Sequence, residues 1–104
     1  MITYEIVEVE PQRAQELIEA GWFVLDARTD AQWAERRITG STHLPLSELV
    51  SEVGSRVPEP TLVVTEDGTK GARVAQYLKN QGIEVANLVG GLFAWEAAGL
   101  PVER

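Results

Sequence analysis

Leu62-Val63-Val64-Thr65-Glu66-Asp67-Gly68-Thr69-Lys70-Gly71 decides how this chain is read. Three apolar residues in a row are the mark of a strand covered on both faces. A polar stretch containing Gly68 follows, and then a pattern that places Val74, Ala75 and Leu78 on one helical face, ending near Asn80-Gln81-Gly82. A buried strand, a tight loop and a helix start make one half of a parallel βαβ unit.

The same alternation extends in both directions. Towards the N-terminus, Tyr4 to Val9 alternates as an edge strand would. Pro11 sits where a first helical residue belongs, Ala14, Leu17 and Ile18 share a helical face, and Gly21 is a natural stop. Trp22-Phe23-Val24-Leu25 is a second unbroken apolar run. A short helix is expected over 30–36 with Asp30 near its N-terminus. Thr42-His43-Leu44 reads as a brief strand ended by Pro45, and Ser47 as the cap of a helix through Leu49, Val50 and Val53. Towards the C-terminus, Val85-Ala86-Asn87-Leu88 is the last strand. Gly90-Gly91 turns the chain into a helix carrying Leu92, Phe93 and Trp95, which Gly99 and Pro101 end. Strands alternating with helices through short loops predict an α/β fold, a parallel sheet with helices on both faces. Ligands of such sheets bind beyond the carboxyl ends of the strands, where residues 65–70 lie.

Bulk properties narrow the function classes. A chain of 104 residues is expected to form one domain over 1–104 and to bury roughly 65% of its unfolded surface. No apolar run approaches the ~20 residues of a membrane span, and the N-terminal residues lack the basic and apolar regions of a signal peptide. A cytoplasmic protein is the expectation. Net charge is −7, from 16 acidic and 9 basic side chains. That balance disfavours nucleic acid and anionic membrane as partners, because both are bound by neutralising negative charge. With no cysteine and one histidine, no disulfide and no credible metal-ligand set can be assembled. Glu48 and Glu52, four apart, read as a solvated helix face. No cofactor is expected.

Several segments in order resemble the rhodanese domain family, and the likeness covers nearly the whole chain. Val24-Leu25-Asp26-Ala27-Arg28 is similar to the family's strand ending in Asp-x-Arg. Ala31-Gln32-Trp33 and the segment from Ile38 to Pro45 follow the family's next stretch. Leu88 to Trp95, with Ala98-Gly99-Leu100-Pro101-Val102 after it, is similar to its C-terminal signature. The resemblance implies a rhodanese-like central sheet of about five parallel strands. It also implies a strand, matching Leu62 to Val64, that delivers a nucleophilic cysteine to take up sulfane sulfur as a persulfide. Such a thiolate is stabilised by backbone N–H groups and the following helix N-terminus.

Here that position falls on Thr65, which cannot form a persulfide. Sulfur transfer by the family route is therefore excluded, and no residue is assigned as catalytic. The active-site-like loop comprises Thr65, Glu66, Asp67, Gly68, Thr69 and Lys70; the family's loop often carries arginine near its middle and end, and here Glu66 and Asp67 take the first part and Lys70 a later one. Its N–H groups are expected to converge, yet a carboxylate ~4 Å from a bound anion costs about 4 kcal/mol at an effective dielectric of 20. With Lys70 offsetting one carboxylate at best, repulsion of anions is the expectation if both carboxylates point inward; if they point outward, a weak anion site survives. The resemblance makes Asp26 and Arg28 supports of the loop rather than reacting groups. Other departures are Gln32 for a common glutamate and Arg36-Arg37 for the usual Gly-His. His43 is expected to hydrogen-bond to backbone, and Trp33 and Trp95 to be core aromatics; Trp22 suits core or rim.

The expected function is a non-catalytic binding or regulatory module whose loop meets an unknown protein partner or small ligand, such as a basic peptide, in a monomer or homodimer. The alternatives are a cysteine-independent enzyme, such as a hydrolase using Glu66 or Asp67 as general base, and a structural subunit.

Overall fold

The apolar runs of the sequence become the centre of one sheet. The computed structural model describes residues 6–52 and 57–104, and of 50–52 the backbone only. Five strands, β1 (Val7–Val9), β2 (Phe23–Asp26), β3 (Thr42–His43), β4 (Thr61–Val64) and β5 (Val85–Leu88), alternate with five helices, α1 (Pro11–Glu19), α2 (Asp30–Glu35), α3 (Leu46–Glu52), α4 (Thr69–Asn80) and α5 (Gly91–Ala97). The sheet order is β1-β5-β4-β2-β3 and every pairing is parallel. The expected fold class is the one observed.

The twofold alternation of strand side chains builds two cores, one on each face. Val24, Leu62, Val64, Ala86 and Leu88 pack with Ala14 and Leu17 of α1 and Leu92 and Trp95 of α5. Leu25, Val63 and Val85 point the other way, against Leu49 of α3 and Val74, Ala75 and Leu78 of α4. Each residue of β4 and β5 is buried, so the central strands are apolar on both faces, as a covered parallel sheet requires. No helix among the described residues is long and apolar enough to cross a membrane.

Local differences from the sequence reading have identifiable causes. The cap of α2 is Thr29: its hydroxyl accepts from Gln32 N–H, and Gln32 returns the bond to Thr29 N–H. This is a capping box; Asp30 is the first residue inside. Helix α3 starts at Leu46, so Ser47 lies in its first turn and is not its cap. Trp95 is buried, but Trp33 is not a core residue: it is half-buried, stacked on His43 with ring centroids 4.8 Å apart and the Arg37 guanidinium 5.0 Å over the ring. Trp22 packs half-buried against the α1–α5 core. Tyr4, Val53 and the side chains of Val50 and Glu52 lie outside what is described.

Candidate functional site

Strand β4 ends in the middle of the sheet, and the chain beyond it, through Thr65, Glu66 and Asp67, forms the floor of a cleft of about 770 Å³. The walls are the segment from Ala27 to Gln32 on one side and Pro45 to Glu48 on the other. The cleft thus lies beyond the strand ends, where parallel sheets bind ligands.

The loop is built against the turn that follows β5. Gly68 (φ +87°) and Gly90 (φ +75°) both take the left-handed conformation at the N-caps of α4 and α5. The first amides of α5, which have no partner within the helix, reach across: Leu92 N–H donates to the Thr65 carbonyl (2.8 Å) and Phe93 N–H to the Glu66 carbonyl (3.0 Å). Contact is so close that a Cβ on Gly91 would stand 2.2 Å from the Thr65 carbonyl oxygen, and one on Gly68 2.6 Å from Gly90 N.

The side chains of Thr65, Glu66, Asp67 and Thr69 are engaged within the protein. Thr65 is buried, and its Oγ1 accepts from Gly68 N–H at 3.1 Å. Asp67 Oδ1 accepts from both Thr69 N–H (3.0 Å) and Thr69 Oγ1 (2.7 Å). These bonds, with the hydroxyl of Thr69 first, hold the Asp67 carboxyl below the usual aspartate range. The amides expected to converge on a ligand are in part spent on the loop's own oxygens.

Glu66 takes a position that its place in the sequence does not reveal. Its carboxylate bridges two guanidiniums, Arg28 Nη1 at 3.2 Å and Arg36 Nη2 at 3.1 Å. Arg28 is buried and held from every side. Its Nε faces both carboxylate oxygens of the fully buried Asp26 at 3.0 Å, and its terminal nitrogens also donate to the carbonyls of Gln32 and Arg36. Arg36 donates through Nε to Glu96 of α5 and through Nη1 to Glu35. Glu96 above all raises the Arg36 pKa beyond its ordinary value. Thus Asp26, Arg28, Glu66, Arg36 and Glu96 form one continuous ionic chain tying the loop to α2 and α5. The Glu66 carboxylate is therefore paired through both oxygens.

Of the residues singled out in the sequence, the structure brings Arg28, Thr65, Glu66, Asp67, Thr69 and Lys70 to the cleft and places Asp26 behind it. His43 Nε2 lies 2.8 Å from the Arg28 carbonyl, the backbone partner expected of it. Two contributors went unassigned. Arg36 was noted only as a departure from a pattern. Asn87 is fully buried at the middle of β5, and its Nδ2 donates to the Gly68 carbonyl and to Glu8. Its signal was a lone amide in an apolar run. Asn87 Oδ1 is the one buried side-chain polar atom without a partner among the described residues, and a Cβ on Gly71 would lie 2.1 Å from it and 3.1 Å from Thr65 Oγ1. Among the described residues, no group of three histidines, cysteines or carboxylates is placed to hold a metal ion.

Comparison with known proteins agrees with this architecture. The model of the rhodanese-like domain matches residues 10–98. The thiosulfate sulfurtransferase GlpE of Pseudomonas fluorescens is 36% identical over 93 residues, 88% of this chain and 85% of that protein. A putative sulfurtransferase of Bacillus subtilis, YtwF, is 28% identical over 100 residues, 93% of this chain and 97% of its own. Among solved structures, a rhodanese-like domain from Anabaena superposes with a TM-score of 0.83 at 24% identity, over 95% of this chain and 80% of that one. A rhodanese-related protein from Thermoplasma volcanium gives 0.81 at 24% identity, over 93% and 97%. This chain belongs to the rhodanese-like domain family, and it contains no cysteine.

Proposed function

We propose that this protein is a rhodanese-like binding module that does not transfer sulfur, and that its ligand enters the cleft above residues 65–70. The observation that carries the reading is Thr65. A hydroxyl replaces the thiol at the cleft floor and accepts a hydrogen bond from Gly68 N–H. With no cysteine in the chain, no side chain can carry a persulfide. The roomy cleft supports retention of a ligand site, within the size range of small-molecule sites.

The rim favours a cationic group, such as a lysine or arginine of a basic peptide. Asp30 stands almost fully exposed on one wall, Asp67 remains ionised, and the chain as a whole carries −7, which would steer a basic partner toward it. Neither loop carboxylate suits the role of general base at neutral pH. Glu66 is held by two guanidiniums, and Asp67 has its proton affinity lowered, whereas an effective base has a pKa near the working pH.

Two measurements test this. Wild type and Thr65→Cys are assayed side by side for transfer of sulfur from thiosulfate to cyanide. No turnover is expected from the wild type, and any catalysis by the pure cysteine-free protein sinks the non-catalytic reading. Thr65→Cys is expected to gain slow transfer, because Gly68 N–H already points at the side-chain heteroatom. For ligand class, a basic and an acidic peptide of equal length are titrated by calorimetry. The basic one is expected to bind, and to weaken in Asp30→Asn/Asp67→Asn; equal or absent binding of both rejects the cationic ligand.

A further inference from the structure

Glu66 has the geometry of a bound ligand more than that of a surface carboxylate. Its two oxygens are divided between two arginines, Oε1 to Arg28 and Oε2 to Arg36. Those arginines are held in place by other groups: Arg28 by Asp26 and two carbonyls, Arg36 by Glu96 and Glu35. The pair is therefore preorganised without Glu66. Two guanidinium N–H vectors converging on one planar carboxylate are the recognition unit for carboxylates and other oxyanions. The Arg28 and Arg36 side chains are 1% and 14% exposed, whereas that of Glu66 is 37% exposed. Glu66 covers the guanidiniums from the solvent side, and both it and Arg28 line the cleft.

We infer that Arg28, which lines the cleft, and Arg36, which meets it at Glu66, form an oxyanion seat, and that Glu66 is its resident occupant, so that an external oxyanion must compete with this side chain. The inference deepens the proposed binding role of the cleft by naming the residue that sets its charge preference. With Glu66 seated, the arginines are satisfied and the cleft presents Asp30 and Asp67 to a ligand. With Glu66 displaced, the two guanidiniums it held are free to donate to a carboxylate or sulfate. Because Leu92 and Phe93 anchor the backbone carbonyls at 65 and 66, displacement needs only the Glu66 side chain to swing out, with the backbone fixed.

The test is a titration of full-length wild type, Glu66→Ala and Glu66→Gln with sodium sulfate, ionic strength being held constant with chloride. Binding is followed by the Nε–H resonances of Arg28 and Arg36 and by thermal shift. Glu66→Ala is expected to bind sulfate at least about tenfold more tightly than wild type, the scale of one charge-assisted hydrogen-bonded contact. Glu66→Gln, which keeps an acceptor but no charge, should fall between. Arg36→Ala added to Glu66→Ala should return the affinity to the wild-type level. Equal sulfate affinity in all three proteins overturns the inference, as does a gain that survives loss of Arg36. If Glu66→Ala does not fold, the Glu66→Gln comparison decides by the same criterion. Failure of the basic-peptide titration would refute the cationic ligand and leave this result standing, since sulfate occupancy is read on the arginines themselves.

Discussion

The turns after β4 and after β5 start alike and end differently. Both leave a buried central strand, both place a left-handed glycine at the N-cap of the next helix, and neither helix has a side-chain cap. After β4 the chain spends three polar residues between strand and glycine, and those side chains take up local N–H groups and guanidiniums. After β5 only Val89 separates strand from Gly90, and the first amides of α5 are left to hold the neighbouring loop's carbonyls. One turn is therefore a scaffold fixed by glycine sterics, and the other a polar site that leans on it.

The difference predicts which kinds of substitution each turn resists. The largest effect belongs to Arg28→Met, which leaves Asp26 buried without its partner and frees the ionic chain behind the polar loop. Loss of one member of a buried pair costs about 3–5 kcal/mol, to be read from urea unfolding; a loss below about 1 kcal/mol would mean that the pair does not support the loop. Next comes Gly91→Ala. Left-handed backbone alone costs an L-residue about 1–2 kcal/mol, but at φ +60° the new Cβ also meets the Thr65 carbonyl and the Glu66 backbone, which cannot swing aside. Gly99→Ala at φ +78° meets nothing within 4 Å and serves as the control. A cost for Gly91→Ala no greater than for Gly99→Ala would remove the scaffold from the comparison.

A smaller effect is expected at Thr65 itself. Valine has the same shape but no acceptor, so Thr65→Val strands the Gly68 N–H inside the protein. An orphaned buried donor costs about 1–3 kcal/mol, whereas Thr65→Ser keeps the oxygen and should lose under about 1 kcal/mol, the scale of the one deleted methyl group. If valine is tolerated as well as serine, the hydroxyl has no role in closing the loop.

Much of this was legible before the structure. The apolar runs at 62–64 and 85–88, Pro11 at a helix start and Gly90-Gly91 at a turn each state a local rule, and local rules gave the element order and put the cleft at 65–70. What escaped was of two kinds. Some signals were present and unread: Thr29-x-x-Gln32 is a capping-box pattern that outranks Asp30 as a start signal. Others exist only in three dimensions. Arg36 and Glu66 are 30 residues apart, and nothing local shows that the loop carboxylate lies on a guanidinium of the chain following α2. Charge read along the sequence leaves Glu66 unpaired, whereas charge read in space pairs it with two guanidiniums. Trp33 failed for a related reason: an indole satisfies itself by stacking on His43 as well as by entering a core.

The smallest expected effect concerns acid, and it separates the turns without altering either backbone. Asp67 has its pKa lowered, first by the Thr69 hydroxyl and then by the Thr69 amide. A group whose folded pKa lies below its unfolded value lends stability above the unfolded value and loses it as pH falls through the folded one. The stability gap between wild type and Asp67→Asn should therefore be constant at neutral pH and narrow as pH drops below the ordinary aspartate range. The Asp67 carboxylate is exposed, so solvent screens its interactions and the gap itself is small. The sharper readout is local: the Thr69 amide resonance should move with Asp67 over that range, while the Ala94 amide, bonded to the Gly90 carbonyl in the other turn, should not follow it. A Thr69 resonance indifferent to acid, or one that moves identically in Asp67→Asn, would show that Asp67 does not hold the start of α4. The polar turn would then owe its closure to Thr65 and Glu66 alone.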